Sequence, residues 1–304
     1  MNFRWPAVLW VLALWPLGAV AWSLALRRRA PRAYTHPGVA WVPAAALGFP
    51  WWAFAGALLL ATLASARPVA PWPVPAKWPV VLVVDVSRSM EETDIHPSRL
   101  EAAKRAASEF LRRLPPGVRV GLVTFGNFAS VIVPVTADRG RVADAVAQLA
   151  TQLRTQLGAG LLEAVRLLEQ EAEVRGELRG VAVLLSDGRY SDGPTPDEAT
   201  KRAVQARVRV YTVGIATTRP AHLLRSGYWG LLDEPTLQAI AERTGGRYYR
   251  TTSAGELREA YRDLARKVGW RWAQEEVGAV LALASAVLLV FGLTASLRRA
   301  PLSA

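Results

Sequence analysis

The sequence predicts an α/β domain, a mainly parallel sheet with helices on both faces, carried by three transmembrane helices. Two observations predict it. Between about residues 80 and 269, short apolar runs alternate with amphipathic helical patterns, the signature of a parallel sheet covered on both sides. Outside that region lie three long apolar runs without a charged residue.

The apolar runs are Trp5–Leu26, Trp41–Ala66 and Val277–Leu297. About 20 apolar residues are needed for a helix to cross the bilayer core, so each run is read as a span. The first is not read as a cleaved leader. It ends in Arg27-Arg28-Arg29 without a small-residue cleavage site, the reverse of a signal peptide's charge layout. Residues 1–66 thus hold two spans, at about 5–26 and 41–66. Residues 67–79 form a Pro-rich linker expected to be extended, with little helix or sheet. Residues 80–269 are the folded domain, and 277–297 the third span.

Net charge is +12, but its distribution argues against a nucleic-acid partner. From Lys77 to Glu276 there are 29 basic and 25 acidic residues, leaving only +4 on the domain. The other basic residues flank the spans, where they report orientation and attraction to lipid head groups. The loop holding Arg27, Arg28, Arg29 and Arg32 is placed in the cytoplasm, as are Arg298 and Arg299. The protein is therefore expected to be multi-pass in the plasma or inner membrane, with its domain on the extracytoplasmic side. There is no cysteine, so disulfides and thiolate metal sites are excluded.

Within the domain, Val80–Val86 reads as a buried strand ending in Asp-x-Ser. Pro97 and Ser98 open a helix whose apolar face is Leu100, Ala103, Ala107, Phe110, Leu111 and Leu114, and Pro115-Pro116-Gly117 stops it. Val118–Phe125 and Ser130–Val135 read as a hairpin through Gly126-Asn127. Helices follow from Asp138 to about Leu149 and over Gly160–Glu173. Val181–Leu185 is a strand ending in Ser186-Asp187-Gly188. Pro196–Ala206 is a helix, Val208–Ile215 a strand and Asp233–Arg243 a helix. Arg247–Arg250 is a short strand, and Ser253 caps the last helix.

In open α/β sheets ligands bind beyond the carboxyl ends of strands. Three segments put oxygen-bearing residues there: Asp85-Val86-Ser87-Arg88-Ser89, then Thr155, then Asp187. Ser and Thr at such places also serve as turn and cap residues. Two carboxylates and three hydroxyls without nitrogen or sulfur, however, suit a hard divalent cation, Mg²⁺ or Mn²⁺. Arg88 is expected to face solvent. Glu91, Glu92 and Asp94 could serve as further ligands, but are expected to form a solvated acidic rim. The histidines His36, His96 and His222 lie apart and suggest no zinc site.

The pattern Asp-x-Ser-x-Ser, distant Thr, distant Asp resembles the metal-ion-dependent adhesion site of von Willebrand factor type A domains. The resemblance covers about Trp78–Gly269. It implies a Rossmann-like fold in which Ser87, Ser89 and Thr155 touch the metal through hydroxyls. Asp85 and Asp187 would act directly or through water, and a partner's Glu or Asp would complete the coordination. The position of Arg88 is often Gly in that family. The layout of spans, and the run from Ser89 to Lys104, are similar to the bacterial Bat (aerotolerance) membrane proteins. That likeness implies other Bat-type proteins and a MoxR-type AAA+ ATPase as neighbours. Binding rather than catalysis is expected: Asp85 is followed by Ser87 rather than a second acid, and no phosphate-binding, Gly-x-Ser-x-Gly or His-Glu-x-x-His motif is present. A metal-dependent hydrolase using Asp85, and a structural membrane subunit with an unused site, are the alternatives.

Overall fold

The computed structural model describes residues 2–11, 51–76, 78–175, 180–215 and 231–299. In chain order its elements are β1 (Asn2–Phe3), a 3-10 turn (Pro6–Leu9), α1 (Trp51–Ser65), β2 (Pro68–Pro75) and β3 (Val80–Asp85). A second 3-10 turn (Arg88–Glu91) precedes α2 (Arg99–Arg113), β4 (Val120–Phe125), β5 (Ala129–Thr136), α3 (Arg139–Ala147) and α4 (Leu157–Arg175). Then come β6 (Val181–Ser186), α5 (Pro196–Gln205), β7 (Arg209–Ile215), α6 (Glu234–Arg243), β8 (Tyr248–Thr251), α7 (Ala254–Gly269), β9 (Trp270–Glu276) and α8 (Gly278–Arg299). The chain divides into two units, Val74–Arg271 and the two flanking segments together.

The larger unit is the predicted α/β domain. Its six-stranded sheet has the order β5-β4-β3-β6-β7-β8. All pairings are parallel except that of the edge strand β5 with β4. Every residue of β3, β4 and β6 is buried, as continuous Val/Leu runs require when both faces are covered. Side chains alternate across the strand. Val80, Leu82 and Val84 join a core with α2, α3 and α7. Val81 and Val83 join a second core with α4, α5 and α6. Phe110 of α2 meets Tyr261 of α7 edge-on at 5.7 Å, both rings fully buried.

The helix starts follow their caps. Ser98, Asp138, Thr195, Asp233 and Ser253 each accept a backbone N–H from the first turn. Helix α4 begins three residues before the expected Gly160. Its glycines are packing residues rather than breakers: a Cβ at Gly158 would lie 2.0 Å from the Pro194 carbonyl oxygen. That close approach seats the loop after β6 against the start of α4.

In the smaller unit, β1, β2 and β9 form a three-stranded sheet. This corrects the expectation of a linker with little sheet at 67–79. The reason is the phase of the prolines. Backbone groups of residues two apart point to the same edge, so Pro71, Pro73 and Pro75 share the edge of Arg67. Arg4 N–H donates to the Arg67 carbonyl there, and β1 reaches only Pro68 and Val69. The three missing donors fall beyond it. On the opposite edge the Pro68 carbonyl accepts from Val277 N–H at 2.9 Å. A proline is tolerated where no ladder bond is asked of it.

Among the described residues one helix, α8, is long and apolar enough to cross a membrane, through Gly278–Ala295. Helix α1 is apolar but shorter, and residues 41–50 of the predicted second span lie outside the described residues, as does most of the first span (12–26) with Arg27, Arg28, Arg29 and Arg32. Of the first span, Pro6–Leu9 forms a 3-10 turn. Helices α1 and α8 pack through small residues: Gly56 faces Leu288, Gly292 faces Phe54, and Ser285 Oγ donates to the Ala57 carbonyl at 2.6 Å. At the foot of α8, Glu276 pairs with Arg4 and, at 2.9 Å, with Arg67.

Candidate metal centre

Strand β3 ends at Asp85 and its neighbour β6 at Ser186. The chain leaves β3 toward β4 on one side and later fills β6 on the other. The crevice at this switch point is where α/β sheets collect ligands.

The first segment turns back on itself immediately. Asp85 Oδ1 accepts Ser87 N–H at 2.8 Å, and the hydroxyls of Ser87 and Ser89 stand 3.1 Å apart. All three side chains are buried. Asp85 Oδ2 accepts the Ser186 hydroxyl at 2.6 Å. Ser186 Oγ in turn accepts Gly188 N–H at 3.0 Å. Asp187 follows, also buried, and its Oδ2 has no hydrogen-bond partner among the described residues. An unsatisfied buried carboxylate oxygen is costly. Beside paired hydroxyls and a second carboxylate, it is what a site for a hard cation requires. Gly188 makes the turn possible. Its φ is +82°, and a Cβ there would lie 2.4 Å from the Asp233 carbonyl oxygen. Asp233 N–H holds the Asp187 carbonyl at 2.7 Å.

Thr155 lies in the loop between α3 and α4, half-buried. Hydrogen bonds hold that loop to the others. Gln152 N–H donates to the Val86 carbonyl at 2.6 Å. Thr151 Oγ1 donates to Glu91 at 2.7 Å. Ser191 N–H donates to the Thr155 carbonyl at 2.9 Å, while Thr155 N–H donates to Ser191 Oγ at 3.1 Å. Asn127 at the β4–β5 turn supports it from outside, accepting Leu153 and Arg154 N–H on Oδ1. The loops bearing Asp85, Ser87, Ser89, Thr155 and Asp187 are thereby tied together at one sheet edge.

Burial dominates the electrostatics. It pushes the Asp85 carboxyl up to about 7, with the charge of Asp187 adding and the Ser186 and Ser87 bonds opposing. Burial also raises Asp187, against the pull of Ser89 and Arg99.

One expectation is corrected here. Of the acidic residues read as a solvated rim, only Glu91 is exposed; Glu92 is buried, and the Asp94 side chain is 3 % exposed. The cause is Arg99, at the start of α2 and wholly buried. Asp94 takes its guanidinium in a fork, Nε to Oδ1 at 2.8 Å and Nη2 to Oδ2 at 2.7 Å. Arg88 is exposed, as expected. His96 is exposed as well, and His36 and His222 lie outside the described residues. No cluster of three His, Cys, Asp or Glu side chains occurs among the described residues. The centre depends on hydroxyls.

Ser186, Arg99 and Asn127 are the residues that sequence reasoning passed over. For Arg99 a signal existed. Counting along the helix puts it on the stripe of Ala102, Ala103, Ala106 and Phe110, all buried.

Residues 80–263 match the model of the von Willebrand factor type A domain. A UPF0353 protein of Mycobacterium leprae (strain TN) is 32% identical over 260 residues, covering 81% of this chain and 78% of its own. One from Mycolicibacterium paratuberculosis is 31% identical over 285 residues, covering 89% and 85%. Among solved structures, an aerotolerance-related membrane protein from Bacteroides fragilis covers 62% of this chain and 99% of its own, with TM-score 0.52 and 24% identity. BatB from Bacteroides thetaiotaomicron covers 63% and 98%, with TM-score 0.53 and 24% identity. Proximal thread matrix protein 1 from the mussel byssus, described with a zinc-occupied metal-ion-dependent adhesion site, covers 67% and 50%, with TM-score 0.52 and 18% identity. At these identities the solved structures share the fold.

Proposed function

The chain belongs to the von Willebrand factor type A domain family, and on that premise we propose that it is a membrane-anchored protein-binding module whose affinity depends on a divalent cation. Asp85, Ser87, Ser89, Thr155 and Asp187 would hold the ion, Mg²⁺ or Mn²⁺, at the C-terminal edge of the sheet. When bound, the ion supplies an electrophilic centre that a partner's Asp or Glu side chain completes. The observation that carries this reading is the buried Asp187 Oδ2, which accepts no hydrogen bond among the described residues, beside the Ser87 and Ser89 hydroxyls.

The chain's own groups do the rest. Ser87 N–H and Ser186 Oγ fix the two oxygens of Asp85. Both being engaged favours orienting work over nucleophilic attack, which supports a binding module rather than a hydrolase. Ser191 and Asn127 hold the Thr155 loop in register. Helix α8 supplies the anchor, and the arginine distribution supports a multi-pass protein with its domain outside the cytoplasm. Partners from Bat-type proteins and a MoxR-type ATPase system are proposed on family resemblance.

Affinity capture in detergent with and without Mg²⁺ tests the reading. Full-length protein is expected to retain partners only with the ion present, and Asp85→Ala and Thr155→Ala to lose them while the fold persists. Capture that is identical for all three proteins, with or without chelator, would refute it.

A further inference from the structure

Among the described residues Arg99 is the largest side chain fully removed from solvent, and it sits in the first turn of α2. Both facts are unfavourable. Burying a guanidinium costs several kcal/mol unless it is well paired, and a cation at a helix N-terminus opposes the macrodipole. The compensation lies at the metal centre. Asp94 grips Nε and Nη2 in a two-point fork, the geometry that makes arginine pairing both strong and directional. The third nitrogen, Nη1, lies 3.9 Å from Asp187 Oδ2. That separation is within reach of charge attraction and beyond hydrogen-bond length. Arg99 therefore links the segment after the Asp85–Ser89 loop to the Asp187 turn.

We propose that Asp94 and Arg99 are a positioning pair: Asp94 restrains the guanidinium so that it steadies Asp187 without bonding to it, which leaves Asp187 Oδ2 open to the divalent cation. The inference rests on the metal reading above. Without the Asp94 fork, a buried cation would have Asp187 within its reach and would compete with the ion for that oxygen. Partners of metal ligands typically govern affinity by about 10–100-fold.

Three variants of the full chain in detergent separate this role from general structural support. Asp94→Asn keeps an acceptor for the Ile95 N–H that Asp94 Oδ1 now binds at 3.0 Å, and removes the charge and the Oδ2 arm of the fork. Arg99→Lys keeps the positive charge but loses the fork, because an ammonium is a point donor. Each is expected to bind Mg²⁺ at least about tenfold more weakly by calorimetry. Bound Mn²⁺, read as loss of the free-ion electron paramagnetic resonance signal, should fall in step. The double variant Asp94→Asn/Arg99→Met removes both charges together, a change that buried pairs often tolerate, and should return affinity to within about threefold of wild type. A merely structural pair would change thermal stability while leaving Mg²⁺ affinity in the folded fraction of the single variants at wild type. Asp94→Asn and Arg99→Lys at wild-type affinity, or a double variant as weak as the singles, overturns the proposal while leaving the metal reading intact. If Asp94→Asn does not fold, Arg99→Lys against the double variant decides by the same criterion. Wild-type protein that binds neither Mg²⁺ nor Mn²⁺ overturns the metal reading and this inference with it.

Discussion

Replacing Ser186 with alanine removes one oxygen from the candidate centre without touching any of the five predicted ligands. Ser186 Oγ donates to Asp85 Oδ2 at 2.6 Å, with both side chains fully buried. A hydrogen bond to a charged group contributes about 1.5–3 kcal/mol, and about 1.4 kcal/mol is a tenfold change in ionisation. The bond favours ionised Asp85, whose carboxyl already stands at about 7. Without that bond the carboxyl rises further, so less of it is ionised at pH 7. Since a cation needs the carboxylate, apparent Mg²⁺ affinity should drop about tenfold at pH 7, the size of the lost hydrogen bond, and approach that of wild type at pH 9. Calorimetric Mg²⁺ titrations of both proteins at the two pH values make the comparison, with a chelator-treated thermal melt to check the fold. Equal affinities at pH 7 would refute the assignment of Ser186 as the group that keeps Asp85 ionised.

The Asp85 shift also sets a pH dependence of stability. Its folded-state value, about 7, stands above the ordinary 3.8. The contribution is thus fully present below the ordinary value and is lost as pH rises through about 7. Chelator-treated protein should melt lower at pH 8.5 than at pH 5.5, with saturating Mg²⁺ narrowing the gap; a flat profile would count against burial of Asp85. Gly188→Ala meets both a φ of +82° and the Asp233 carbonyl, so a loss of about 1–3 kcal/mol is expected, with weakened Mg²⁺ binding. Thermal melts and titration on the same sample would show the two effects together. Phe110→Ala empties a fully buried site against Tyr261 and should cost about 3–5 kcal/mol in urea unfolding, with Mg²⁺ affinity retained in the folded fraction.

The periodicity of the chain was enough to place most elements of the domain. Short Val/Leu runs bounded by turn residues fit strands covered on both faces, and the Ser, Asp and Thr caps mark helix starts through local hydrogen bonds. These are short-range rules, so they survive without knowledge of partners. They failed where a residue's meaning depends on what it meets. The helix read from Gly160 starts at Leu157, where the Pro194 carbonyl packs against Gly158. Pro71, Pro73 and Pro75 of β2 read as a linker until their shared edge is seen to need no donors.

The same division runs through the candidate centre. Asp85, Ser87, Ser89, Thr155 and Asp187 stood out because their residue types, at strand ends and a helix start, imply an oxygen-lined crevice in any sheet of this class. What the sequence by itself determined was therefore the donor set and the edge it occupies. Only the tertiary structure decided the electrostatics around it. Asp94 and Glu92 look like solvent-facing acids in a loop, and nothing local joins Arg99 to them. Folding closes α2 over them, and in a medium with little water the guanidinium must stay within reach of carboxylates. Its fork on Asp94, and its 3.9 Å approach to Asp187, join parts of the chain 88 residues apart in number, from 99 to 187. No local pattern encodes that distance, because it is set by how β3 and β6 lie side by side.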